Sequence, residues 1–118
     1  MTRLFILTVF LALTAVIIFS SCGNSTRQVY VTIKNQSGHN IKKLTLHHQN
    51  GLIENNFLRD QDQTLFIFQN SGENVYNVTA TLDNDTILKS KGEYVEGGYH
   101  LTETITTEMI KTSYDKNY

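Results

Sequence analysis

Apolar and polar residues alternate through much of the chain beyond residue 28, and this two-residue period constrains the fold more than any other feature. Val29, Val31 and Ile33 share one phase, and the stretch 75–82 alternates in the same way. Such a period places apolar side chains on one face of a strand. The 97 residues after position 21 contain twelve threonines but one alanine, a composition that favours strands over helices. The pattern predicts an all-β domain.

Turn-forming residues divide this part of the chain at intervals of about 8 to 12 residues, a spacing typical of an antiparallel sandwich or small barrel. The run 65–68 does not alternate, which predicts a core strand covered on both faces. We expect seven strands, with a possible eighth starting near residue 109, over residues 29–33, 41–48, 52–58, 64–68, 75–82, 86–91 and 99–107.

The first 21 residues differ sharply from the rest, since 15 of them are apolar against 32 of the remaining 97. Arg3 precedes an uncharged run over 4–19, and Ser20 and Ser21 follow it. That order is typical of a secretory signal. A helix over the run would be about 24 Å long, shorter than the roughly 30 Å hydrocarbon core of a bilayer. We therefore expect a cleaved N-terminal signal helix over residues 1–21.

The lone cysteine, Cys22, directly follows Phe19-Ser20-Ser21 and precedes a polar stretch. This arrangement resembles the lipobox of bacterial lipoproteins. The resemblance implies diacylglycerol on the sulfur, cleavage by signal peptidase II before Cys22, and acylation of the new amino group. Two or more chains hold a protein firmly to a membrane. The alternative is a retained signal-anchor helix with an incidental cysteine.

The sequence around Cys22 is similar to that of Bacteroidota lipoproteins. Lipoproteins retained at the inner membrane of enteric bacteria often carry Asp where this chain has Gly23, so the resemblance implies the outer membrane. Surface-exported lipoproteins of Bacteroidota usually carry acidic residues just after the cysteine, and their absence here implies a periplasm-facing position. Beyond the lipobox, the chain resembles only small immunoglobulin-like or transthyretin-like bacterial lipoproteins, which implies a shape and not an activity. The expected organisation is a signal peptide at 1–21, a lipidated cysteine and tether at 22–28, an antiparallel seven- or eight-stranded sandwich at 29–113 and a frayed tail at 114–118.

Several functional classes lack the residues that they need. Ten positive against eleven negative residues, with no basic block, leave no electrostatic footprint for nucleic acid. One cysteine excludes an internal disulfide, and no Gly-x-Ser-x-Gly, Gly-x-Gly-x-x-Gly or Walker pattern occurs. We expect no enzyme activity and no cofactor.

The four histidines give no metal site by pattern. Adjacent residues of a strand point to opposite faces, so His47 and His48 cannot easily share one ion. We expect His39 in a turn and His100 on the solvent side of its strand to be hydrated surface residues.

The segment 92–100 is the most distinctive part of the domain, because glycines bracket two glutamates and two tyrosines. Glycine permits positive φ or close backbone approach, and tyrosine supplies amphipathic contact surface. The segment is either a tight connection or a contact for a ligand or protein. Its candidate binding residues are Glu93, Tyr94, Glu96, Gly97, Gly98 and Tyr99.

Glu103 shares the inward phase of Leu101 and Ile105, where an unpaired carboxylate is costly. Lys89, Lys91 or an edge position is the expected compensation.

These observations predict a lipid-anchored, non-enzymatic envelope protein that presents a small β-sandwich to a periplasmic or envelope partner. One alternative is an immunity or inhibitor protein against a cell-wall-directed enzyme or toxin, with Glu93 and Glu96 as contacts. Another is a metal or small-molecule binder.

Overall fold

The computed structural model describes residues 27–115, and within them the chain forms strands and turns without a helix. The predicted all-β fold is confirmed, but the described residues contain nine strands, more than the seven or eight expected. Residues 27–115 therefore contain no helix that is long and apolar enough to cross a membrane. The strands are β1 Arg27–Asn35, β2 Ile41–His48, β3 Gly51–Asn55, β4 Gln63–Asn70, β5 Asn74–Leu82, β6 Ile87–Lys89, β7 Glu93–Val95, β8 His100–Ile105 and β9 Ile110–Tyr114.

The strands form two sheets that make a sandwich. The first sheet has the order β4-β1-β8-β9, and the second has the order β3-β2-β5-β6, with β7 also paired to β5. Each ladder between the described strands is antiparallel except that of β1 and β8, in which Thr32 lies opposite Thr102. Parallel neighbours need a long connection, and the six strands between β1 and β8 provide it. This ladder is the one parallel exception among the described strands of the expected antiparallel sandwich.

One hydrophobic core fills the space between the sheets. Val29, Val31 and Ile33 of β1 are fully buried, as their shared phase predicts. Phe68 of the first sheet meets Tyr76 of the second edge to face, with ring centroids 6.1 Å apart. Fully burying an aliphatic or aromatic side chain of this size contributes about 1.5–3 kcal/mol. The packing of alternate residues from both sheets therefore holds the sandwich together.

β4 is an edge strand and not the doubly covered core strand expected from its sequence. Phe66 and Phe68 are 5% exposed, whereas Leu65 is 50% and Ile67 45% exposed. Among the described strands, β4 pairs with β1 alone. A run of four apolar residues indicates a strand, but it does not reveal that one face lacks a covering layer.

The domain extends beyond both of its expected limits. β1 begins at Arg27, inside the predicted tether 22–28, and β9 ends at Tyr114, inside the predicted tail 114–118. The third strand is instead shorter than expected, because β3 ends at Asn55 and the expected range 52–58 continues to residue 58. Each boundary depends on pairing with another strand, which the local alternation does not show.

Candidate functional site

The segment 92–99, expected as a loop, is partly a strand. Its Glu93–Val95 portion forms β7, antiparallel to β5, with Val75 opposite Tyr94. Val95 is fully buried, while Tyr94 is 42% exposed. The loop prediction is wrong for these three residues, because their backbone groups complete the edge of β5.

The two adjacent glycines fix the rest of the segment against the start of β1. A Cβ on Gly97 would lie 3.3 Å from Arg27 Cα, so the close approach admits no side chain without a shift of the backbone. Gly98 has a φ of +93° and donates its N–H to the carbonyl of Gln28 at 2.8 Å. Both reasons for expecting glycine here, close approach and positive φ, are confirmed, one at each position.

Three tyrosines and two glutamates form a cluster beside this turn. The Tyr94 hydroxyl donates to Glu96 Oε1 at 2.6 Å. The Tyr114 hydroxyl is shared between Glu93 Oε2 at 3.0 Å and the Tyr94 carbonyl at 3.1 Å. The Tyr99 and Tyr114 rings pack edge to face at 6.1 Å. Four of the six candidate residues therefore belong to this cluster, namely Glu93, Tyr94, Glu96 and Tyr99, and both carboxylates already accept hydrogen bonds from the chain itself.

The protonation of these hydroxyls limits what the cluster can do chemically. Burial, followed by the hydrogen bond to Glu93, raises the pKa of Tyr114 to about 12. The hydrogen bond to Glu96 is the largest cause of the raised pKa of Tyr94. Both hydroxyls stay protonated near neutral pH, so they act as hydrogen-bond donors and not as bases. These two hydroxyls can therefore donate hydrogen bonds to a contacting molecule.

Tyr114 is the member of this cluster that the residue pattern does not indicate, because it falls in the expected frayed tail 114–118. The phase of β9 offered a signal, since Ile110, Thr112 and Tyr114 share one side of the strand. That phase becomes visible only when the strand is extended past residue 113.

Glu103 is fully buried, as its inward phase predicts. Tyr76 of the facing sheet donates its hydroxyl to Oε1 at 2.6 Å, and Thr112 of β9 donates to Oε2 at 2.7 Å. The expected compensation by Lys89 or Lys91 is wrong, because both lysine side chains are exposed. Neutral hydroxyls from two other strands satisfy the carboxyl instead.

Burial raises the pKa of Glu103, while the hydrogen bonds from Tyr76 and Thr112 oppose that rise. Burial is also the largest cause of the raised pKa of Tyr76. A carboxyl with a raised pKa is typical of acid-base sites, but structural networks produce the same shift. Glu103 has no exposed surface, so a substrate has no access to it in this conformation.

The histidines are distributed over separate surfaces. His48 stacks on Phe68 with centroids 4.5 Å apart, and burial lowers its pKa. His47 is exposed on the opposite face of β2, as expected. His39 Nδ1 lies 3.0 Å from Asp83 Oδ1. Residues 27–115 hold no group of three or more His, Cys, Asp or Glu placed to bind a metal.

His100 differs from the hydrated surface residue that we expected. It is half-buried, and its ring stacks on Tyr30 of the neighbouring β1 with centroids 4.4 Å apart. The register of β1 and β8 places the two residues opposite each other. Cross-strand packing of this kind depends on the parallel pairing, which the sequence did not predict.

An open trough of about 390 Å³ runs across the outer face of the second sheet. Threonines of β2 and β5 line it. Lys43 and Glu54 also line it and form an ion pair, with Nζ 3.6 Å from Oε1. The outward phase shared by its threonines was the available sequence signal. The lining residues are Lys43, Thr45, His47, Leu52, Glu54, Thr79, Thr81, Ile87 and Lys89.

Cys22, the predicted lipidation site, lies outside the described residues. The described residue nearest to it in sequence is Arg27, at the start of β1. The segment 92–99 is thus at the same end of the sandwich as Arg27, which lies within the predicted tether 22–28.

No protein-family model matches the chain, and no curated protein matches it. A solved NMR structure of a protein from Eubacterium rectale is similar, with a TM-score of 0.55 and 16% sequence identity. The similarity covers 81% of this chain and 96% of that chain. At this level of identity it supports the fold alone.

Proposed function

We propose that the chain is a lipid-anchored, non-enzymatic protein of the cell envelope whose β-sandwich binds a partner at the membrane. The observation that carries this proposal is the short interval between Cys22 in its lipobox and the start of β1 at Arg27. Five residues span at most about 17 Å when fully extended. Acyl chains on Cys22 would therefore keep the sandwich close to the membrane surface.

The position of the segment 92–99 supports a contact near the membrane. Gly97 packs on Arg27, so the exposed side chains of Tyr94 and Tyr114 lie at the tethered end of the sandwich. Tyrosine provides amphipathic contact area with little conformational freedom to lose. A partner at this end would itself be associated with the membrane, and confinement of both proteins would raise their effective concentration. We place this contact at the periplasmic face of the outer membrane.

The bonding of polar groups supports binding rather than catalysis. Among the described residues, every buried side-chain nitrogen and oxygen has a hydrogen-bond partner. The most unusual titratable group, Glu103, is closed off by Tyr76 and Thr112. A catalytic group needs contact with a substrate, and an exposed tyrosine cluster can bind without any such chemistry.

Replacing the cysteine tests the anchor. We expect wild type to fractionate with membranes and its N-terminal peptide to begin at Cys22 carrying diacylglycerol and an acyl chain. The Cys22→Ser variant should lose both properties. The double variant Cys22→Ser/Ser25→Cys is the matched control, since a thiol moved out of the lipobox should not restore them. An unmodified sulfur in wild type, with residues 1–21 still attached, would contradict the proposal.

Crosslinking in native membranes tests the contact. We expect Tyr94→Ala to lose a crosslinked partner that wild type and Ile87→Ala both retain, because Tyr94 and Ile87 are exposed on different strands. A partner list unchanged by Tyr94→Ala would remove the segment 92–99 from the binding surface.

A further inference from the structure

Among the edge strands of the described domain, β4 differs by carrying no charged residue. Its sequence over Gln63–Asn70 is QTLFIFQN. The other edge strands each carry a charge: Lys111 on β9, Glu54 on β3, Lys89 on β6 and Glu93 on β7. Charged side chains on an edge oppose pairing with another chain, and an uncharged exposed edge lacks that protection. β4 is thus the edge best able to accept a further strand.

The free hydrogen-bonding groups of β4 include those of Leu65 and Ile67. Tyr30 of β1 donates its N–H at 3.0 Å to the carbonyl that precedes β8, so the next residue, Val31, directs its backbone groups to β4. Val31 lies opposite Phe66, which therefore bonds to β1. The neighbours of Phe66 present their N–H and C=O groups to the open side. The same two residues also have exposed side chains.

The free stretch is bounded on one side. The N–H of Gln63 is already bonded to Asp62 Oδ1 at 2.9 Å. Among the described strands, none pairs with β4 on its open side. The available edge is therefore uncharged and runs from Leu65 towards the C-terminal end of β4.

The order of residue types in β4 is nearly symmetric about Phe66. In an antiparallel pair centred there, Leu65 lies opposite Ile67 of a second copy, and Gln63 lies opposite Gln69. Apolar side chains meet apolar ones, amides meet amides, and no like charges within the strand face each other. Leu65 and Ile67 would form hydrogen-bonded pairs, each exchanging both N–H···O bonds.

We propose that β4 pairs antiparallel with β4 of a second copy of this chain, centred on Phe66, so that the two first sheets become one continuous sheet. A two-fold axis perpendicular to the sheet relates the copies and makes the contact self-complementary. This axis keeps the outer face of the first sheet on one side in both copies. Because Arg27 pairs with Asn70 at the end of β4, the Arg27 ends of the two copies lie at opposite ends of the joined sheet.

Site-specific photocrosslinking tests the pairing in whole cells that co-express two differently tagged full-length copies. p-Benzoylphenylalanine replaces either Leu65 on β4 or Leu52 on β3, which are 50% and 51% exposed. We expect about ten-fold more crosslinked product containing both tags from position 65, because the β3 edge carries Glu54. Equal yields, no product at position 65, or a product there with a different protein would overturn the proposal.

A charge on the edge provides the second test. Ile67→Lys places a lysine on the seam of each copy and should lower the yield from position 65 by about ten-fold. Ile87→Lys, on an edge that already carries Lys89, should leave it unchanged. Both side chains are exposed, and thermal unfolding checks that both variants fold. A yield unaffected by Ile67→Lys would overturn the proposal. The photocrosslinking yield does not depend on acylation of Cys22. Failure of the proposed anchor is detected by the fractionation experiment and can therefore be told apart from failure of the pairing.

Discussion

Glu103 shows how a single residue can oppose the general rule that the core is apolar. Its carboxyl is fully buried, and the hydroxyls of Tyr76 and Thr112 satisfy it. Its pKa is raised because burial outweighs these two hydrogen bonds. The folded state therefore holds the proton more tightly than the unfolded state does. It follows that the free energy of unfolding decreases as the pH rises above the ordinary glutamate pKa of 4.5.

The variant Glu103→Gln removes this pH dependence. Its amide occupies the same space without a charge, so we expect it to be more stable than wild type at neutral pH, with the difference shrinking as the pH falls to about 4. Urea denaturation at several pH values measures this. Glu108→Gln, at an exposed position in the turn before β9, should show no such trend. A wild-type to Glu103→Gln difference that is constant with pH would show that the charge of Glu103 is not involved.

At the scale of the element, the two faces of β4 have opposite environments. Phe66 and Phe68 point into the core, and Leu65 and Ile67 point outwards from the first sheet. The apolar content of the strand is the same on both faces. Only the presence of the second sheet on one side distinguishes them, because burial of a side chain depends on what packs against it.

Alanine substitutions on neighbouring residues of β4 separate the two faces. We expect Phe66→Ala to cost about 3–5 kcal/mol of unfolding free energy through loss of buried surface and the cavity left behind. Leu65→Ala should cost less than about 1 kcal/mol, because that side chain is half exposed. Chemical denaturation at low protein concentration measures both. Similar large losses would indicate that both faces are covered, as the sequence alone suggested.

At the scale of the whole molecule, the first and last described strands hold the segment 92–99 between them. Gly98 donates to the carbonyl of Gln28 in β1, and the Tyr114 hydroxyl of β9 bonds to the backbone of Tyr94. Asp115 donates its N–H to the carbonyl of His100 at 2.9 Å, which extends the pairing of β9 past its last residue. The C-terminal end of β9 is therefore part of the folded domain.

Two truncations locate the end of the domain. A chain ending at Asp115 should keep nearly full stability, whereas one ending at Ser113 loses the Tyr114 ring contact and hydroxyl bond. We expect the shorter chain to lose about 1–3 kcal/mol, measured by thermal and urea unfolding. Equal stability of the two chains would place the end of the domain at residue 113, as the sequence analysis did.

The pattern of residue types alone predicts the all-β class, the inward phases of β1 and β5, and the burial of Glu103. These follow from the alternation of side chains along a strand, which is a local property. It also supplied the two glycines of the candidate segment, although not what they pack against. The candidate residues around them could be selected from local composition alone.

Contacts across the fold, and not the residue pattern, reveal which strands lie at edges and which hydroxyls satisfy Glu103. Tyr76 is 27 positions away from that carboxyl in the sequence. Gly97 likewise packs on Arg27, which lies at the start of the first strand and far away in the sequence. The edge position of β4 and the parallel pairing of β1 with β8 also depend on how strands meet in the fold. Each depends on contacts between residues far apart in the chain, and the local pattern of a strand does not specify its neighbours.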